Sequence, residues 1–168
     1  LAGNVKSEYI QFVKDAHYSS AWNKEARKET RKKVIARLTV KKDIDLILAM
    51  GTWAGQDLAS NDHSVPTIVM SSSDPLRSKI IKSHGDSGYD HVNARVDPTR
   101  YERQIRIFHD IIGFERLGMV YEKDTSDGRT YAAIEDVEKA AADLGFSIVS
   151  CHAPFSDIPV DKAKEAVL

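Results

Sequence analysis

Short apolar runs of strand length alternate with amphipathic stretches of helical period along this chain. Residues 45–50, 67–70, 116–121 and 146–152 read as strands, and residues 91–96 alternate in the manner of an extended strand. Residues 9–13 read weakly as another. A charged helix is predicted over residues 23–40, with Ala26, Val34, Ile35 and Leu38 on one side. A short helix follows over 52–59, and another over 75–83 with Pro75 in its first turn. The stretch His84-Gly85-Asp86-Ser87-Gly88 is turn chemistry. Asp97-Pro98 reads as an N-cap and first-turn proline. The helix it opens carries Tyr101, Ile105, Phe108 and Ile112 on one face and stops at Gly113. One helix over 129–144 presents Tyr131, Ile134, Val137, Ala141 and Leu144 as a stripe and closes at Gly145. A last helix starts near Val160 and is still running at Leu168.

Strands alternating with helices predict an α/β fold, a parallel sheet with helices on both faces. A helix at the end with no strand after it reads as an interrupted β–α series, hence a piece of a larger protein. Parallel sheets bind ligands outside the carboxyl ends of their strands, where new helices leave backbone N–H groups unpaired. Three strand-to-helix junctions repeat that geometry. Leu46-Ile47-Leu48-Ala49-Met50 runs into Gly51-Thr52-Trp53. Glycine allows close approach there, and Thr52 can cap the helix or hydrogen-bond a ligand. Thr67-Ile68-Val69-Met70 runs into Ser71-Ser72-Ser73-Asp74-Pro75, which offers hydroxyls and a carboxylate that can cap or take an ammonium group. Leu117-Gly118-Met119-Val120-Tyr121 leads to Asp124-Thr125-Ser126-Asp127-Gly128, an aromatic wall followed by a carboxylate and free N–H groups. Trp53 is a further candidate wall. An ordinary capped helix, or a core or interface tryptophan, is the competing reading at each.

Composition narrows the classes. The 168 residues, 42% apolar and 29% charged with a net charge of −1, describe a globular chain without an electrostatic case for nucleic acid. The basic run from Arg27 to Lys33 contains Glu29 and Thr30 and reads as a solvated helix face. The longest apolar runs fall far short of the ~20 residues a membrane span needs. The chain opens at Leu1 without a signal-peptide pattern, so its start gives no localisation. Its single cysteine, Cys151, forms no intrachain disulfide and reads as a small buried core residue rather than a reactive thiol. The six histidines lack metal-site spacing, and neither a phosphate loop nor a nucleophile elbow is present. No cofactor, metal or catalytic residue is expected.

In order and spacing, these segments resemble the ABC-transporter substrate-binding proteins akin to binders of tryptophan and other aromatic amino acids. The resemblance rests on Asp45 to Thr52 with Ala54 and Gln56, then Val65-Pro66-Thr67-Ile68-Val69 leading to Ser73-Asp74-Pro75. It continues in Gln104 to Ile112, Leu117 to Tyr121 and Ala140 to Gly145. It implies the flavodoxin-like, parallel-sheet lobes of a type I periplasmic binding protein, here incomplete, with residues 1–93 in the first lobe and 94–168 in the second. It implies a small amino-acid-like ligand held between the lobes, a permease as partner, and a periplasmic or extracytoplasmic place beside the membrane, through that partner or a lipid anchor. The implied ligand positions are Gly51, Thr52, Ser73, Asp74 and Tyr121. Asp127-Gly128 stands where such proteins often carry Asn-Ser. The residue-level reading adds Trp53, Asp127 and Gly128. A sensor domain of the same fold is the alternative, with a small flavodoxin-like or nucleotide-binding enzyme behind it.

Overall fold

Thr67 and Val69 are buried while Ile68 and Met70 are exposed, the period of two that a strand covered on one face requires. In the computed structural model, which describes residues 7–154 and 160–165, these residues are the central strand of a three-stranded sheet. Strand β1 (Ile47–Met50) pairs parallel with β2 (Thr67–Met70), Ile47 opposite Thr67 and Met50 opposite Met70. Strand β3 (Val92–Ala94) pairs parallel on the other side of β2. A second sheet joins β4 (Arg116–Tyr121) parallel to β5 (Ser147–His152), with Tyr121 opposite His152. Parallel neighbours need crossovers. Helix α2 (Thr52–Leu58) supplies the one from β1 to β2, and α4 (Ser126–Ala132) with α5 (Ile134–Leu144) the one from β4 to β5, while β2 reaches β3 through turns.

The first core gathers Leu38, Ala49, Leu58, Val69, Ile80, Ile81 and Val92. Helix α1 (Lys24–Ala36), capped by the Asn23 carboxamide on Ala26 N–H at 2.9 Å, brings Val34 and Ile35 to it. The helix continues as a π-helical turn, Arg37–Lys41, closed by Lys42 in the left-handed region at φ 52°. The second core packs Ala140, Ala141 and Phe146 with Ile105 of helix α3 (Arg100–Ile112) and Leu117 of β4. Among the described residues the opposite face of the first sheet is open, since Leu48, Met50, Ile68 and Met70 stay exposed. Helices on both faces are therefore not what these residues form.

Several other expectations are corrected. Residues 9–13 form no strand, and Tyr9 is almost fully exposed. Residues 75–83 are a run of turns rather than a helix. The N–H groups of Ile80 and Ile81 both return to the Pro75 carbonyl, at 2.8 and 3.2 Å, and Lys79 sits at φ 56°. That path buries Ile80 and Ile81 together in the first core. Thr99, not Asp97, is the N-cap residue of α3, and Asp97 pairs with Arg103 at 2.8 Å. Phe108 and Ile112 are exposed, while His109 turns inward and stacks on Phe146 at 5.4 Å. The helix expected over 129–144 is two helices, because Ala133 adopts φ 50° between α4 and α5. Cys151 is exposed, as no described residue covers β5 on that side. Helix α6 (Val160–Glu165) forms, and the expected continuation to Leu168 lies outside the described residues. No helix among the described residues is long and apolar enough to cross a membrane.

His63 gives the first core a pH dependence. Its Nδ1 accepts from Val65 N–H at 3.2 Å and its Nε2 donates to the Leu58 carbonyl at 3.0 Å, which fills both sites of the neutral ring. Burial pushes its pKa below the usual histidine value, outweighing the Leu58 hydrogen bond, and His91 at 4.9 Å acts in the same direction. The unfolded chain therefore takes up this proton at higher pH than the folded one. Stability from this group is complete above the ordinary value and is lost as pH falls through the folded one. The denaturant midpoint is expected to drop as pH falls below the usual histidine value, with a smaller drop in His63→Gln. Equal drops in both proteins would assign the acid sensitivity to other groups.

Candidate ligand-binding site

The site is built where the two sheets present their carboxyl ends. Gly51 follows β1 at φ 96° and ψ 169°, a conformation open to glycine, and donates its N–H to the Met70 carbonyl at 2.8 Å. Helix α2 thereby starts at once, with Thr52 buried and Trp53 at the rim. The Thr52 hydroxyl accepts from Ser73 N–H at 3.4 Å, tying the first junction to the second. Asp74 is committed locally. Its carboxylate accepts from the N–H groups of Leu76 and Arg77 at 2.9 and 3.0 Å and lies 3.5 Å from the Arg77 guanidinium.

Thr125 caps α4 by accepting Gly128 N–H at 3.0 Å. The free N–H expected at Gly128 is thus already taken. Asp127 is left to cross the gap, and its Oδ2 accepts from Trp53 Nε1 at 3.2 Å. A second bridge joins the same halves beside it, Arg77 to Asp136 at 2.7 Å, with Glu135 at 3.7 Å. Burial works against the Arg77 charge, but Asp136, with Asp74 and Glu135 beside it, raises its pKa on balance.

Trp53 is held from several sides. The Arg27 guanidinium lies 4.8 Å from its ring centroid. Arg27 is itself clamped in a two-point fork by Asp57, at 2.9 and 2.8 Å, and by Gln56 at 3.1 Å. The basic run is therefore not simply a solvated face. Trp22 packs against Trp53 with ring centroids 5.7 Å apart and a 56° tilt. Ala21 and Trp22 are both left-handed, at φ 48° and 61°, a strain of about 1–2 kcal/mol per residue that the fold sustains to place this indole.

Two cavities meet at the tryptophan pair. One, of about 440 Å³, lies between Trp22, Trp53, Tyr121, Asp127, Gly128 and Tyr131. The other, of about 270 Å³, holds Gly51 and Thr52, again with Trp22 and Trp53 in its wall. The structure thus brings Trp53, Tyr121, Asp127 and Gly128 together. It puts Gly51 and Thr52 across the tryptophan pair, and places Ser73 and Asp74 in neither cavity. Tyr121 is fixed edge-on against His152 at 4.8 Å. Sequence reasoning missed Trp22, Lys24, Glu122 and Tyr131, all in the larger cavity's wall. Tyr131 had a signal that pointed to the core, whereas Trp22 belonged to no periodic stretch. Such a site can hold a molecule by aromatic contact and charge.

Two small parallel sheets with their carboxyl ends turned to a shared cleft match, in part, the fold of type I periplasmic binding proteins. The chain belongs to the ABC transporter substrate-binding protein family, whose family model matches residues 10–162. No curated protein matches it. Among solved structures it is similar to an ABC domain in complex with L-Trp from Streptococcus pneumonia, with TM-score 0.60 and 20% identity, covering 79% of this chain and 43% of that one. It is similar to the leucine-binding protein LivK from Thermotoga maritima, with TM-score 0.55 and 18% identity, covering 83% of this chain and 38% of that one. A conserved domain protein from Vibrio cholerae gives TM-score 0.55 and 20% identity, covering 74% and 41%. At these identities the likeness establishes the fold. The chain spans less than half the length of each of these structures.

Proposed function

We propose that this chain is part of a solute-binding protein that captures a small amino-acid-like ligand between two lobes and delivers it to a membrane permease outside the cytoplasm. The lobes are residues 1–93 and 94–168. The observation that supports this most is the larger cavity, walled by Trp53 from one sheet's junction and by Tyr121 and Asp127 from the other's. A ligand touching both halves stabilises their approach, which is the physical basis of capture by closure. Relatives in fold are described as bound to L-Trp and as leucine-binding, which favours an amino acid or similar molecule. In this reading Asp127 receives the ligand's ammonium group, Trp53 and Tyr121 wall it, and the Gly128 turn sets the position of Asp127. Gly51 and Thr52 form the adjoining compartment, and Ser73 and Asp74 support it from behind.

Both tryptophans of the chain line the larger cavity, so their emission reports its occupancy. Titration with a panel of free amino acids is expected to give a saturable fluorescence change with one class. A flat response across the panel, from chain shown to be folded by circular dichroism, counts against an amino acid as the ligand of this site.

A further inference from the structure

Four of the ten residues lining the larger cavity are Trp22, Trp53, Tyr121 and Tyr131, in a chain only 8% aromatic. Its charged residues are two acids, Glu122 and Asp127, and one base, Lys24. Such walls select by charge. The ring faces of tryptophan and tyrosine attract cations, tryptophan most strongly. A net negative wall adds to that attraction and repels a free carboxylate. Trp53 already shows the behaviour, since the Arg27 guanidinium lies over its ring at 4.8 Å. Its indole N–H donates to the Asp127 carboxylate, which pushes electron density into the ring and strengthens its pull on a positive group. Gly51 and Thr52 lie in the other compartment beyond the Trp22–Trp53 pair.

We infer that the larger cavity is an aromatic–acidic cage for an organic ammonium ion, with the cationic head among Trp22, Trp53, Tyr121 and Tyr131 and Asp127 as its counter-charge. This rests on the cleft reading above and narrows it: the ammonium group carries recognition, and a carboxylate on the ligand is dispensable. The volume of about 440 Å³ suits a small amine or quaternary ammonium compound.

Calorimetric titration with phenethylamine and phenylalanine tests it, because the pair differs only in the carboxylate. Choline serves as a quaternary probe. The amine is expected to bind at least about tenfold tighter than the amino acid, and choline to bind measurably. Asp127→Asn keeps an oxygen for the Trp53 N–H but removes the charge. It is expected to weaken the amine by about tenfold or more. Phenylalanine binding as tightly as phenethylamine, or an unchanged amine affinity in Asp127→Asn, would overturn the cage while leaving the cleft as a binding site. Binding of none of the three probes would overturn the cage too. A saturable response to other amino acids in the panel would then show the cleft still working, and its absence would remove both readings.

Discussion

Ile80→Ala is expected to lower the unfolding free energy by about 3–4 kcal/mol, the range for emptying a fully enclosed isoleucine site. Ile80 is 0% exposed although it lies in the turns after β2, outside any helix or strand. Its neighbours leave it no slack. A Cβ added to Gly55 of α2 would meet Ile80 Cδ1 at 2.8 Å and Val69 Cγ1 at 2.7 Å, so helix, strand and turn close on one point. Backbone bonds from Ile80 and Ile81 to Pro75 keep the turn in place, which limits collapse into the cavity left behind. Against a typical total stability of about 5–15 kcal/mol, this is a large fraction. Ile107→Ala, on the exposed side of α3, is the control and is expected to change stability by less than about 1 kcal/mol. Denaturant titration of both variants decides the matter. Similar midpoints would show that Ile80 is not a packing centre.

Gly128→Ala is expected to destabilise the chain by about 1–3 kcal/mol and to abolish ligand-dependent fluorescence. A Cβ at Gly128 would lie 2.4 Å from the Glu122 carbonyl oxygen, 2.7 Å from Glu122 Cβ and 2.8 Å from Thr125 Oγ1. The first of these is backbone and cannot swing aside. Alanine is favoured over glycine inside a helix by about 1 kcal/mol, so a net loss means that the clash outweighs propensity. Relief requires shifting the first turn of α4, which carries Asp127 away from Trp53. A stable variant with unchanged binding would show that the loop opens without moving Asp127.

The elements set by local pattern were legible in the sequence. Residues 67–70 and 116–121 form strands with the expected ends, because each is a short apolar run bounded by polar or turn residues. Gly113 and Gly145 close their helices in the left-handed region, at φ 67° and 79°, as a glycine after an amphipathic stripe indicates. The failures have a common cause, which is long-range contact overriding local pattern. Pro75 opens a sequence compatible with helix, but burying Ile80 against Gly55 requires a tighter path. Cys151 has strand-like neighbours, yet burial depends on a covering layer that β5 lacks on that face among the described residues. In the site, the residues at strand ends were visible from spacing. Trp22 was not, since a left-handed tryptophan is a product of its surroundings and has no signature in the sequence.

The break at Ala133 has a further consequence. In an unbroken helix Tyr131 and Ile134, three residues apart, would share a face. The left-handed residue between them sends Tyr131 to the cavity wall and Ile134 to a fully enclosed position. If the cavity binds as proposed, molecular taste and structural integrity are written in separate stretches of one segment. A substitution at 131 is thus expected to alter the cavity wall while leaving the packing from 134 onward in place.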